Sequence, residues 1–227
     1  MANPRKLPPW EDYPDLLPAT VAHIESQVLK ERAAIARALQ PESTAVYQFL
    51  STEFQKGPVD KNPLFQFVYR SFYRLDNAGL TPEFKSRYFA LMQEARSSGE
   101  IDLGAIAGEL YTLKNLRGRN TLQFSFVTKL AATVQPDVYP IYDAEIARAF
   151  RFSTPYGEPD YAKRLKTYIR FYDWLGTCYR ELLKSKKLNK AVELVIDLQP
   201  PDISAPRMKW LDSLFWTAGK LGIVVVP

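Results

Sequence analysis

The stretch "DYAKRLKTYIRFYDWLGTCYRELLK", residues 160 to 184, decides how the rest of the chain is read. Leu165, Tyr168, Tyr172, Leu175 and Tyr179 recur three or four positions apart, the repeat that puts side chains on one face of an α-helix. Lys163, Arg164, Lys166, Arg170, Arg180 and Lys184 take other positions of the same stretch. From 160 to 190 nine Lys/Arg stand against three acids, whereas the whole chain has 30 against 25, so the modest net charge of +5 is concentrated here. The reading is a long helix with an aromatic core face and a cationic, solvated face. Lys163, Arg164 and Lys166 on that second face are candidates for phosphate contact.

Working outward, proline after a capping residue marks several further helix starts. Pro18 begins a helix with Val21, Ile24, Val28, Ile35 and Leu39 on one stripe, and a second covers about 43 to 56. Asn62-Pro63 opens the aromatic "LFQFVYRSFYRLD", expected to be central to a core, and Thr81-Pro82-Glu83 starts a fourth helix through about Arg96. The small-residue helix "LGAIAGELYTL" follows, then the turn "KNLRGRNT" and an apolar helix from about Leu122 to Val134. Beyond it come a helix at 144 to 152, the basic helix, one at 188 to 197 and a last one at 205 to 220. The terminal "IVVV" could form a short strand but has no evident partner sheet. The fold class is therefore all-α, a multi-helix chain read as a single helical domain over 1–227. Its first 17 residues form an extended Pro-rich segment, and two lobes, 18–115 and 116–227, offer a subdivision.

At 46% hydrophobic over 227 residues the chain can bury a sizeable core. One cysteine, Cys178, excludes an internal disulfide framework, and one histidine, His23, excludes sites needing several imidazoles. No metal or cofactor site is read from the sequence. No window reaches the roughly 18 uninterrupted apolar residues of a membrane span, and the amino terminus lacks the apolar run of a signal peptide. The expectation is a cytoplasmic protein with no membrane partner.

The remaining candidate region is 116 to 150. In "LRGRNT" the residues Gly118 and Asn120, tolerant of left-handed backbone, flank Arg119, and such a turn can aim amides at a phosphate, with Arg117, Arg119 and Lys129 at hand. Downstream, "VQPDVYPIYDAEIARAF" sets Asp143 behind Pro140-Ile141-Tyr142 and just ahead of a helix. Two roles fit Asp143: an N-cap that accepts amide hydrogen bonds, or the carboxylate of a base-excising enzyme. For Tyr139 and Tyr142 the alternatives are partial burial or lining a pocket for an extruded base.

The order of hairpin turn, apolar helix, extended Pro-rich loop, aspartate and helix resembles the helix-hairpin-helix DNA glycosylase superfamily. Leu116, Gly118, Asn120 and Asp143 match the leucine, the two glycines and the aspartate of its Leu-Pro-Gly-Val-Gly…Asp signature, over about 35 residues. Asn120 stands where the family has glycine, and Leu122 stands where bifunctional members carry the Schiff-base lysine. The resemblance thus implies a monofunctional DNA glycosylase with Asp143 as its sole acid, or a descendant that binds nucleic acid without cutting it, DNA rather than RNA. A third reading, from another class, is a non-enzymatic helical module that meets a protein partner or nucleic acid through its basic face.

Overall fold

Five helices open on a side chain that accepts an amide from their own first turn. Asn62 caps Phe65, Thr81 caps Phe84, Asp102 caps Ala105, Asp143 caps Glu145 and Ile146, and Asp160 caps Lys163. In two of them proline follows the cap at the first helical position, where its missing N–H costs nothing. A computed structural model describes residues 18–39, 41–199 and 203–227, and the extended reading of 1–17 lies outside them.

Among the described residues the chain forms ten α-helices: α1 Pro18–Ala38, α2 Pro41–Lys56, α3 Pro63–Phe72, α4 Pro82–Ser98, α5 Leu103–Thr112, α6 Phe124–Val134, α7 Ala144–Ala149, α8 Tyr161–Ser185, α9 Asn189–Asp197 and α10 Arg207–Lys220. Strands are absent from the described residues apart from isolated bridges between Leu80 and Asn115 and between Lys114 and Asn120. The protein is all-α, as its helix-start signals and periodicity predict. No described helix is long and apolar enough to cross a membrane.

The described residues divide into two compact units, one made of 18–39, 142–198 and 207–227, the other of 41–141, 199 and 203–206. The chain changes units after 141, where sequence punctuation suggests a lobe boundary after 115. Helix α1 belongs with the C-terminal helices, packing on α8, α9 and α10. That pairing joins segments more than a hundred residues apart, and local punctuation carries no record of it.

In the second unit the aromatic helix α3 buries Phe65 and Tyr69 against Tyr88 and Phe89 of α4. The two buried phenols meet at 2.9 Å, the Tyr88 hydroxyl donates to the Phe126 carbonyl of α6 at 2.9 Å, and Thr133 reaches Tyr69 at 3.3 Å. A phenol buried without partners would be costly, and this chain of hydrogen bonds is what lets the core hold two of them side by side.

In the first unit α8 turns Tyr168, Phe171, Tyr172, Leu175, Cys178, Tyr179 and Leu182 inward, the core face expected from its periodicity. Phe171 stacks on Phe152 at 4.1 Å, and Phe150 packs against Phe215 at 4.8 Å. Helix α7 is clamped from α10: Gly219 comes so close that a Cβ there would lie 1.9 Å from the Glu145 carbonyl oxygen. The terminal "IVVV" finds its place here without a sheet, because the Val225 amide donates to the Ala149 carbonyl at the end of α7 at 2.9 Å.

Candidate nucleic-acid interface

Asn115 organises the turn at 116 to 120. Its side-chain oxygen accepts the amides of Arg117 at 2.9 Å and Arg119 at 3.0 Å, while its carbonyl accepts the Gly118 amide at 2.9 Å. Gly118 adopts a left-handed φ of 71°, but Asn120 does not, and the Asn120 side chain instead donates to the Tyr111 carbonyl at 2.7 Å. This corrects the expectation that the turn aims successive amides outward. Three consecutive amides are already bonded to Asn115, so a phosphate would meet only the Arg117 and Arg119 side chains. Leu116 is 69% exposed.

Lys129, on α6, holds its ammonium 5.2 Å from the centre of the Phe126 ring and 5.7 Å from that of Tyr73. It is spent at least in part as a cation over aromatic faces. Tyr139 is half-buried just past α6.

Asp143 is the N-cap of α7. Both amides, from Glu145 at 2.9 Å and Ile146 at 3.1 Å, go to the same oxygen, Oδ1. Oδ2 accepts no hydrogen bond from any described residue. The side chain is half-buried and belongs to an electrostatic group that includes the buried Tyr179 and Asp212 and the half-buried Lys209. Burial pulls the Lys209 ammonium below its ordinary range, and the Asp212 and Asp143 carboxylates oppose that pull. Burial likewise holds the Tyr179 phenol well above its ordinary range, reinforced by Asp212.

Tyr142 is 4% exposed and edge-on to Phe152, Tyr168 and Phe171 at 5.4 to 5.9 Å. Burial raises its phenol far above the usual value. It is a core residue, which corrects the expectation that it lines a pocket. The sequence could not separate the two roles, since a tyrosine next to a capping aspartate serves either.

The residues of the expected site fall in different units. Arg117, Gly118, Arg119, Asn120, Lys129 and Tyr139 belong to the second, and Tyr142, Asp143, Lys163, Arg164 and Lys166 to the first. Neither unit by itself holds both the turn and the carboxylate.

What the first unit does hold is the cationic face of α8. Lys163, Lys166 and Arg170 are exposed at steps of three and four residues, and Arg180 and Lys184, also exposed, continue the row beyond Asp173 and Thr177. Lys163 and Lys166 make no ion pair with any described residue, and the Arg164 Nε is buried without a hydrogen bond. Tyr156, 80% exposed, sits four residues ahead of the Asp160 cap in the loop that leads into α8. Sequence reasoning missed it, although an aromatic flanked by proline and glycine in a surface loop was there to be noticed.

No family model matches the chain, and neither the curated proteins nor the solved structures contain a match to it.

Proposed function

We propose that the protein binds nucleic acid, DNA before RNA, through the phosphate backbone, using the exposed face of α8 with Lys163 and Lys166 at its N-terminal end. One observation carries this reading. Lys163 and Arg164 stand in the first turn of α8, where the positive end of the helix dipole makes a cation unfavourable by a few tenths of a kcal/mol each, and Lys166 follows just beyond. No acidic residue stands in that first turn beyond the Asp160 cap. Stability alone does not select such an arrangement, whereas a polyanion draws the lysines and the helix end together. Tyr156 adds an exposed ring on which a base can stack.

Base excision in the manner of a monofunctional helix-hairpin-helix glycosylase is a second reading, favoured by the Asp143 oxygen that capping leaves unused. The internal bonding of the turn 117 to 120 weighs against it, because the backbone grip on phosphate that extrusion needs is already satisfied elsewhere.

Labelled duplex and single-stranded DNA, incubated at low and moderate salt with wild type and Asp143→Asn, separates the two. Salt-sensitive binding by both proteins with no abasic sites supports the binding module. Abasic sites with wild type alone support excision, and absence of binding at low salt removes both.

A further inference from the structure

A cleft of about 310 Å³ opens in the second unit between α3 and α4, remote in sequence from every residue discussed as an interface. Its walls include Asp60, Gln66 and Arg70 from the α3 side and Lys85, Ser86 and Phe89 from α4. Its polar lining comes from two cations, a hydroxyl, an amide and one acid, Asp60, and Phe89 with Ala90 supplies apolar lining. Gln66 is already committed, donating to the carbonyls of Val59 and Asp60 at 2.9 Å.

The two cations share one acid. The Lys85 Nζ meets Asp76 Oδ1 at 2.5 Å, while the Arg70 Nε stands 3.7 Å from Asp76 Oδ2, beyond hydrogen-bond length. That Nε is shut off from water and donates to nothing. A buried, unmet guanidinium donor is costly, and two cations served by one carboxylate that is tight on Lys85 but out of reach of the Arg70 Nε have capacity left for a second oxyanion. Asp76 itself is 41% exposed and comes from the short 3-10 turn Leu75–Ala78, preceded by Arg74 in a left-handed conformation. It can leave the cations for water at small cost, as exposed ion pairs do.

We infer that the cleft between α3 and α4 is a binding site for a small oxyanion carried on an apolar or aromatic body, with Arg70 and Lys85 taking the anionic group, Ser86 donating to it, and Asp76 acting as the internal competitor that the ligand displaces. Guanidinium geometry accommodates a carboxylate or a phosphate alike, so both chemistries qualify. The volume suits a ligand of the size of a substituted benzene ring bearing one such group.

The test is a titration of the ¹⁵N-labelled full-length protein with phenyl phosphate and, separately, benzoate at low salt, following amide shifts. Wild type is expected to saturate with shifts confined to residues around 66, 70, 85, 86 and 90, and whichever ligand binds tighter identifies the anionic group. Asp76→Asn removes the competitor and is expected to tighten binding by about tenfold, the worth of one charge-assisted hydrogen bond. Arg70→Gln is expected to weaken it by a similar factor. A residue that merely stabilised the fold would not improve binding when replaced, so the Asp76→Asn direction is diagnostic. The inference is overturned if neither compound shifts these amides, or if wild type and Arg70→Gln bind equally. Should Asp76→Asn unfold, the comparison of wild type with Arg70→Gln and Lys85→Met still decides.

Discussion

Replacing Gly219 by alanine attacks the close approach that fixes the candidate carboxylate. A Cβ at 219 would lie 1.9 Å from the Glu145 carbonyl oxygen and 2.6 Å from its carbon, both backbone atoms of α7. No rotamer change relieves that overlap. Either α7 or α10 must move, and with α7 moves the Asp143 cap. Overpacking of a well-filled site costs about 1–3 kcal/mol, and a clash with backbone belongs at the upper end. Alanine within a helix returns about 1 kcal/mol relative to glycine. The net expectation is a destabilisation of about 2 kcal/mol, or a fall of about 4–8 °C in Tm for a chain of this length. Gly176, on α8, is the control, for its Cβ would meet only the Arg180 guanidinium, the mobile end of a long side chain, at 3.3 Å. Gly176→Ala is expected to be neutral or to raise Tm. Thermal and urea unfolding followed by far-UV circular dichroism measures both. Equal or higher stability for Gly219→Ala would refute the proposed clamp of α10 on α7.

Other outcomes follow from single interactions. Tyr88→Phe removes the hydrogen bonds to the Phe126 carbonyl and to the Tyr69 hydroxyl, and should destabilise by about 1–3 kcal/mol in urea titrations. Asp143→Ala should cost about 1 kcal/mol by removal of the cap, whereas Asp143→Asn, which can still accept both amides, should cost far less. The Cys178 thiol, pushed up to about 12 by burial, should resist a thiol reagent at neutral pH until the protein is unfolded by denaturant. Because the folded state holds that proton longer than the unfolded state, whose thiol ionises near 9, the linkage acts between those values. Wild type should then lose stability relative to Cys178→Ala as pH rises above about 9, by up to ~1.4 kcal/mol per pH unit.

Much of the fold could be read from the residues alone because helix starts here are chemically explicit. Asn62-Pro63, Thr81-Pro82, Asp102 and Asp143 each supply a cap, and helices begin within a residue or two of where those signals lie. Periodicity likewise gave α8 its buried face, since a long helix repeats its pattern often enough to be unambiguous. Illegible were the features made by distant segments: α1 joining α8 to α10, the terminal valines meeting the end of α7, and the aromatic nest that buries Tyr142. For the candidate site the limit was different. A Gly between two arginines signals a turn, but whether its amides face outward depended on Asn115, one residue ahead of the motif, whose side chain takes two of them. The cationic face of α8 was visible in composition, and its exposure is what the structure adds.

The most direct test of phosphate binding by α8 is the salt dependence of affinity for duplex DNA, measured for wild type and for Lys163→Gln/Lys166→Gln. If both lysines neutralise phosphates, the slope of log K against log salt concentration should fall in magnitude by about 1.8, which is about 0.9 for each lysine replaced, with no change in sequence preference. An unchanged slope in the double variant, or wild-type affinity that is absent or insensitive to salt, would contradict the assignment.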